Sequence, residues 1–137
     1  MITSINEFKN NITEINNYIL DQIYKLKYST KLIFGKFGTT DMYNTDNFYN
    51  AANGNIDLFI DSLPTKRILL NKIYPTQHSI SKDKVKNILI GNIKNKNDLP
   101  FVIHNKLGYF LLDGHNRLSI AKLKNDKYVN VKVFEDL

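Results

Sequence analysis

The sequence contains no cysteine, which excludes disulfide bonds and any metal site built on thiolates. Histidine is scarce as well. Its three residues lie far apart along the chain, and scattered histidines are a poor signal for a metal centre. The absence of cysteine fits a reducing compartment, so we expect a cytoplasmic location.

Long apolar stretches are also missing. No apolar run approaches the ~18 residues that a membrane-spanning helix needs, and residues 1–10 lack the basic start and apolar core of a signal peptide. We therefore expect no membrane partner. The chain has 137 residues, of which 42% are hydrophobic and 12% aromatic, so it can bury a core and is not expected to be disordered.

Basic residues outnumber acidic residues, and the formal net charge is +6. This charge is compatible with an anionic partner, such as a nucleotide, a nucleic acid or an acidic protein, but it does not distinguish among them. Only two of the 19 basic residues are arginines, Arg67 and Arg117. Because a guanidinium group suits two-pronged recognition of phosphate better than a lysine does, the surroundings of Arg117 are of particular interest.

Residues 1–63 are predicted to form a helix followed by an irregular connector. Ser4 and Glu7 have the spacing of a capping box. Apolar residues then recur at steps of three and four, and they are Ile5, Phe8, Ile12, Ile15, Ile19, Ile23 and Leu26. This stripe packs either on its own domain or on a second copy in a homodimer. Within the connector we expect a short strand over 32–34 and a short helix or turn over 56–63.

Residues 64–137 are predicted to form a second unit, ordered strand, helix, strand, strand, helix, strand. The expected elements are a strand over 66–73, a helix capped by Ser81 with Val85, Ile88, Leu89 and Ile93 inside, a hairpin of LPFVIH and GYFLLD, a helix over 116–124 and a strand over VNVKVFE. This order fits an α+β fold with one small mixed sheet and packed helices.

The segment GYFLLDGHNRLSIAKL places DGHNR between two apolar runs. A strand that passes directly into a helix leaves unpaired backbone N–H groups at the helix start, and these groups attract anions. Gly114 allows a sharp turn, and Asn116 and Arg117 would join the amides around a phosphate. Asp113 and His115 are placed to hold a metal, orient a ligand or move a proton. The same residues could instead serve only as a helix cap and a turn.

This pattern resembles the signature of the ParB/sulfiredoxin superfamily, and the predicted order of elements in residues 64–137 resembles its fold. The resemblance implies a nucleotide-phosphate site at the Gly-x-x-Arg turn. Gly114 and Arg117 match the phosphate-binding pair, and Asp113 matches the acidic residue often found before that glycine. The two residues between the glycine and the arginine occupy the variable middle of the motif.

The superfamily includes CTP-binding DNA-segregation proteins, ATP-using sulfiredoxins, free-serine kinases that use ADP or ATP, and proteins described as nucleases, so the fold does not settle the reaction. Sulfiredoxin chemistry is excluded because the catalytic cysteine is missing. Segregation proteins carry a second arginine in the motif and a helix-turn-helix domain, and neither is evident here. A free-serine kinase would need an acidic base after the first strand, where this chain has Gln77 and His78.

The leading hypothesis is a nucleotide-binding protein that uses ATP, ADP or CTP with Mg and has phosphohydrolase or phosphotransferase activity. The expected nucleotide contacts are Gly114, His115, Asn116, Arg117 and Gln77. The expected catalytic residues are Asp113, His115 and His78, and Asp113 is also the expected metal ligand. The alternatives are a non-catalytic DNA-binding or regulatory protein of plasmid or phage type and a protein-interaction module.

Overall fold

The computed structural model describes residues 35–77, 80, 82–89 and 99–137. Several sequence predictions fall outside these residues and stay predictions. They are the N-terminal helix with its homodimer seam, the strand over 32–34, the cap at Ser81, the inner position of Ile93 and the role of His78.

Five strands form one mixed sheet. They are β1 (Thr65–Leu69), β2 (Ile73–Tyr74), β3 (Phe101–Asn105), β4 (Gly108–Asp113) and β5 (Tyr128–Glu135). Their spatial order is β1-β5-β3-β4-β2. β1 pairs with β5, and β3 with β4, in antiparallel orientation, whereas β3 with β5 and β2 with β4 are parallel pairs. The predicted small mixed sheet and the β3–β4 hairpin are confirmed.

Four α-helices lie within the described residues: α1 (Asp46–Ala52), α2 (Ile56–Ser62), α3 (Lys82–Leu89) and α4 (His115–Leu123). The last three confirm predicted helices. α1 corrects the prediction of an irregular connector, because aromatic packing rather than apolar spacing holds this short helix in place. None of the described helices is long and apolar enough to cross a membrane.

The strand predicted over residues 66–73 is two strands separated by a 3₁₀ turn, Leu70–Lys72. β1 and β2 occupy opposite ends of the strand order, although only three residues separate them. If the sheet were flat, β1 and β2 would lie about 19 Å apart. The three-residue connection between them can span only roughly 14 Å. The sheet therefore curls, which brings its two edges together.

The curled sheet has a covered layer on each side. One cluster joins the sheet to α4 and contains Ile68, Leu70, Ile73, Val102, Leu111, Leu118, Ala121, Val131 and Val133. A second, between α3 and α4, contains Val85 and Ile120 with Ile88 against them, which confirms Val85 and Ile88 as inner positions. The third packs Phe48 of α1 on Phe101 and Ile103. α4 is thus held from two sides, and its first residue follows directly on β4.

Candidate functional site

The turn between β4 and α4 depends on Gly114. This residue has φ +105°, in the left-handed region that side chains rarely allow. A Cβ atom there would lie 2.6 Å from Cβ and 2.9 Å from Cα of Pro100. Both the backbone conformation and the close approach of Pro100 therefore require glycine at this position.

The N-cap residue of α4 is Gly114, which has no side chain to accept a capping hydrogen bond. The helical hydrogen-bond pattern begins with the amide of Leu118 donating to the Gly114 carbonyl at 3.0 Å. The three preceding amides, at residues 115–117, have no helical partner. These N–H groups and the positive end of the helix dipole together favour an anion at the end of β4.

Arg117 lies in the first turn of this helix and is half-buried. Within the described residues its guanidinium forms no ion pair and no hydrogen bond, even though the exposed Asp113 is only four residues away. The neighbouring Asn116 is also half-buried, and its side-chain oxygen is buried and accepts no hydrogen bond from any residue that the structure describes. A half-buried guanidinium without a carboxylate partner is well suited to binding an anion.

His115 is buried, with 4% of its surface exposed, and faces the loop after β2. Its Nε2 atom accepts hydrogen bonds from the amides of Thr76 at 2.9 Å and Gln77 at 3.2 Å. The Thr76 hydroxyl donates to the carbonyl of Leu111 in β4. Burial lowers the pKa of His115 to about 4, so the imidazole is neutral near pH 7.

The structure brings most of the predicted site residues together. Four of them, Asp113, Gly114, Asn116 and Arg117, lie at or beside the β4–α4 turn, and the backbone of Gln77 reaches the same place through its bond to His115. Their proposed roles in binding and catalysis stay predictions. His78 lies outside the described residues.

Sequence reasoning missed two residues that shape this turn, Thr76 and Pro100. The amide of Thr76 meets a side chain 39 positions later in the chain, and no local spacing indicates such a contact. Pro100, which immediately precedes β3, lies where a side chain of residue 114 would point. A pairing of the two apolar runs in the predicted hairpin is the one signal that could have placed Pro100 near the turn.

Two further features bear on the chemistry. The described part of the chain holds no group of three or more His, Asp and Glu side chains that could bind a metal, so Asp113 belongs to no such group there. A cleft of about 430 Å³ lies among residues 35–36, 71–74 and 107–109. This cleft is at the start of β4, whereas the turn with the uncapped helix is at its end.

No family model matches the chain, and no curated protein gives a significant match. One solved structure is similar, the C-terminally truncated chromosome-partitioning protein ParB from Caulobacter crescentus complexed with CTP-gamma-S. The sequence identity is 12% and the TM-score 0.41, over 53% of this chain and 44% of that chain. The matched region is therefore less than half of that ParB chain.

Proposed function

We propose that the protein binds a nucleotide through a phosphate site at residues 114–117, in a domain of ParB/sulfiredoxin-like fold. One observation carries the proposal: α4 begins at an uncapped glycine, beside a half-buried arginine with no partner in the described part of the chain. Anions are the groups that unpaired helix-start amides and a free guanidinium bind best.

Each residue of the turn has a distinct part in this site. Gly114 gives the backbone the left-handed conformation in which α4 starts directly after β4, close to Pro100. The amides of the first helical turn donate hydrogen bonds, and Arg117 adds positive charge with two parallel donors. The side-chain amide of Asn116 offers a further donor.

Catalysis is the second part of the proposal. Asp113 is exposed at the end of β4, and its carboxylate is the kind of hard oxygen ligand that Mg²⁺ takes together with phosphate. The metal would offset phosphate charge, while Arg117 and the helix amides stabilise the charge that develops during phosphoryl transfer. His115 receives a positioning role here instead of the predicted proton transfer, because its Nε2 atom already accepts two backbone hydrogen bonds.

Calorimetric titration tests the binding site. We expect ATP, ADP, CTP or GTP to bind in the presence of Mg²⁺, and Arg117→Ala to weaken that binding by about 10- to 100-fold, since bonds to charged groups contribute most. CTP is included because the similar ParB structure is a complex with CTP-gamma-S. The matched control is Arg67→Ala, which removes the other arginine. Absence of binding by all four nucleotides, or equal affinities for wild type and Arg117→Ala, would contradict the proposal.

Release of inorganic phosphate tests the catalytic part. We expect Mg-dependent turnover that falls at least about tenfold in Asp113→Asn, because the variant loses a metal-binding charge, while nucleotide affinity without Mg²⁺ stays unchanged. Turnover that survives in Asp113→Asn at the wild-type rate would remove this residue from the mechanism. A wild-type protein that binds nucleotide but releases no phosphate would show a binding function only.

A second candidate function is DNA binding. Arg67 and Lys127 both stand over the ring of Tyr128, at 4.5 Å and 5.8 Å from its centroid, and this tyrosine is 41% exposed. An exposed aromatic ring flanked by cations suits contact with bases and phosphates. We expect DNA affinity to fall steeply with salt and to drop further in Arg67→Ala with Lys127→Ala. Salt-independent binding, or no binding, would reject this candidate.

A further inference from the structure

Two hydrogen bonds to one nitrogen fix the chemical state of His115. A ring nitrogen that accepts hydrogen bonds carries no proton, and both bonds from the loop after β2 end on Nε2. In the neutral ring the proton is therefore on Nδ1. That atom is buried and has no hydrogen-bond partner within the described residues, so the loop amides alone select this tautomer.

The same loop is held at a second point. The Thr76 hydroxyl donates to the carbonyl of Leu111, which precedes the β4–α4 turn, whereas His115 follows the turn's glycine. Pro75, which is buried, accepts a hydrogen bond from the amide of Gly38 at 2.7 Å. Residues 75–77 are thus attached on both sides of the turn where the phosphate site is proposed.

We infer that His115 is a positioning residue: as the tautomer protonated on Nδ1, it fixes the backbone of Thr76 and Gln77 beside the β4–α4 turn. The turn is then one wall of the nucleotide site, and residues 75–77 are the second wall. The wall part of this inference rests on the proposed function. The positioning part rests on the contacts alone. In this arrangement the side chain of His115 contacts the loop and not the ligand, so its replacement changes the shape of the site without removing a phosphate contact.

The first test uses the wild-type protein without ligand. Nitrogen chemical shifts of the imidazole rings, with the His115 signals identified by their loss in His115→Gln, report which ring atom carries the proton. We expect Nδ1 to be protonated and Nε2 to be unprotonated at neutral pH. A proton on Nε2 would overturn the inference, because that atom could then accept no bond from either amide.

The second test compares two variants by amide hydrogen exchange. His115→Gln can keep an acceptor near the position of Nε2, whereas His115→Leu keeps bulk and removes the acceptor. We expect exchange at Thr76 and Gln77 to accelerate about tenfold or more in the Leu variant, as for the loss of one hydrogen bond, and to stay near wild type in the Gln variant. Central-strand amides such as Ile103 are the reference. Unchanged exchange at both loop amides in the Leu variant would overturn the inference, and if that variant does not fold, the wild-type tautomer decides.

Nucleotide affinity tests whether residues 75–77 form a wall of the site. We expect His115→Leu to weaken binding about tenfold through the misplaced loop, a change of about one hydrogen bond, and His115→Gln to restore it. If affinity depends on Arg117 but is the same in wild type and His115→Leu, residues 75–77 are not a wall of the site. If no nucleotide binds to the wild type, the proposed function and the wall fail together, while the tautomer and the amide exchange still decide the positioning role.

Discussion

At the residue scale, three neighbours at the start of α4 have three separate tasks. Gly114 allows a left-handed backbone close to Pro100, and His115 accepts hydrogen bonds from the loop after β2. Arg117 carries a positive charge that no described residue pairs. The sequence motif predicted the place and the residue types. It did not separate these tasks, because the partners of the first two residues come from other parts of the chain.

Replacing Gly114 by alanine tests the backbone argument. We expect the unfolding free energy to fall by about 3 kcal/mol or more, because the variant combines a disfavoured φ with overlap against Pro100. Gly54→Ala is the matched control: Gly54 also has positive φ, +87°, but among the described residues, its chain neighbours aside, no atom lies within 4 Å of an added Cβ. We expect it to cost about 1 kcal/mol. Equal losses measured by denaturant unfolding would show that Pro100 does not constrain the turn.

The lowered pKa of His115 predicts an acid-sensitive fold. The folded protein favours the neutral imidazole, so the unfolded chain, with an ordinary pKa near 6.5, binds the proton first as pH falls. The contribution of His115 to the unfolding free energy is therefore complete above pH 6.5. It declines as the pH falls towards 4, by up to about 3 kcal/mol. Unfolding curves of wild type and His115→Gln should diverge in this range. Parallel pH profiles for the two proteins would contradict the buried neutral histidine.

At the element scale, the helices and strands differ in how much of their formation is local. α4 and the β3–β4 hairpin follow from apolar runs broken by turn residues, and both were predicted close to their observed bounds. α1 has no such pattern. It forms where Phe48, with 3% of its surface exposed, packs against Phe101, Phe59 and Phe134 at ring-centroid distances of 4.7, 5.6 and 5.6 Å. Phe59 lies in the next helix, but Phe101 and Phe134 are distant in sequence, so a local pattern could not reveal the helix.

Phe48→Ala tests whether one side chain docks α1. We expect the unfolding free energy to fall by about 3 to 5 kcal/mol, as for other buried phenylalanines replaced by alanine. Tyr49→Ala is the control on the same helix: its side chain is 52% exposed, and we expect a loss below about 1 kcal/mol. Similar losses in the two variants, measured by denaturant unfolding, would show that α1 is not held by Phe48.

At the scale of the whole molecule, the curled sheet brings distant segments to one place. The chain leaves β1 at one edge and enters β2 at the other after a single 3₁₀ turn, and the loop after β2 then meets the start of α4. The sequence indicated one continuous strand over this region because residues 66–73 are apolar enough for a strand and contain no proline or glycine to mark the turn. The division into two edge strands depends on pairing with β5 and β4, which are tertiary contacts. The β4–α4 turn was therefore predictable, but the contact between its His115 and the loop after β2 was not.

The most direct measurement of the central claim is a nitrogen–proton NMR titration of the protein with Mg-nucleotide, beginning with CTP and ATP. Our account predicts that the largest amide shifts occur at residues 114–118 and at residues 76–77, and that Arg117→Ala suppresses both sets together. Shifts confined to the cleft at residues 35–36, 71–74 and 107–109, or no shifts with any nucleotide, would contradict the phosphate site at the start of α4.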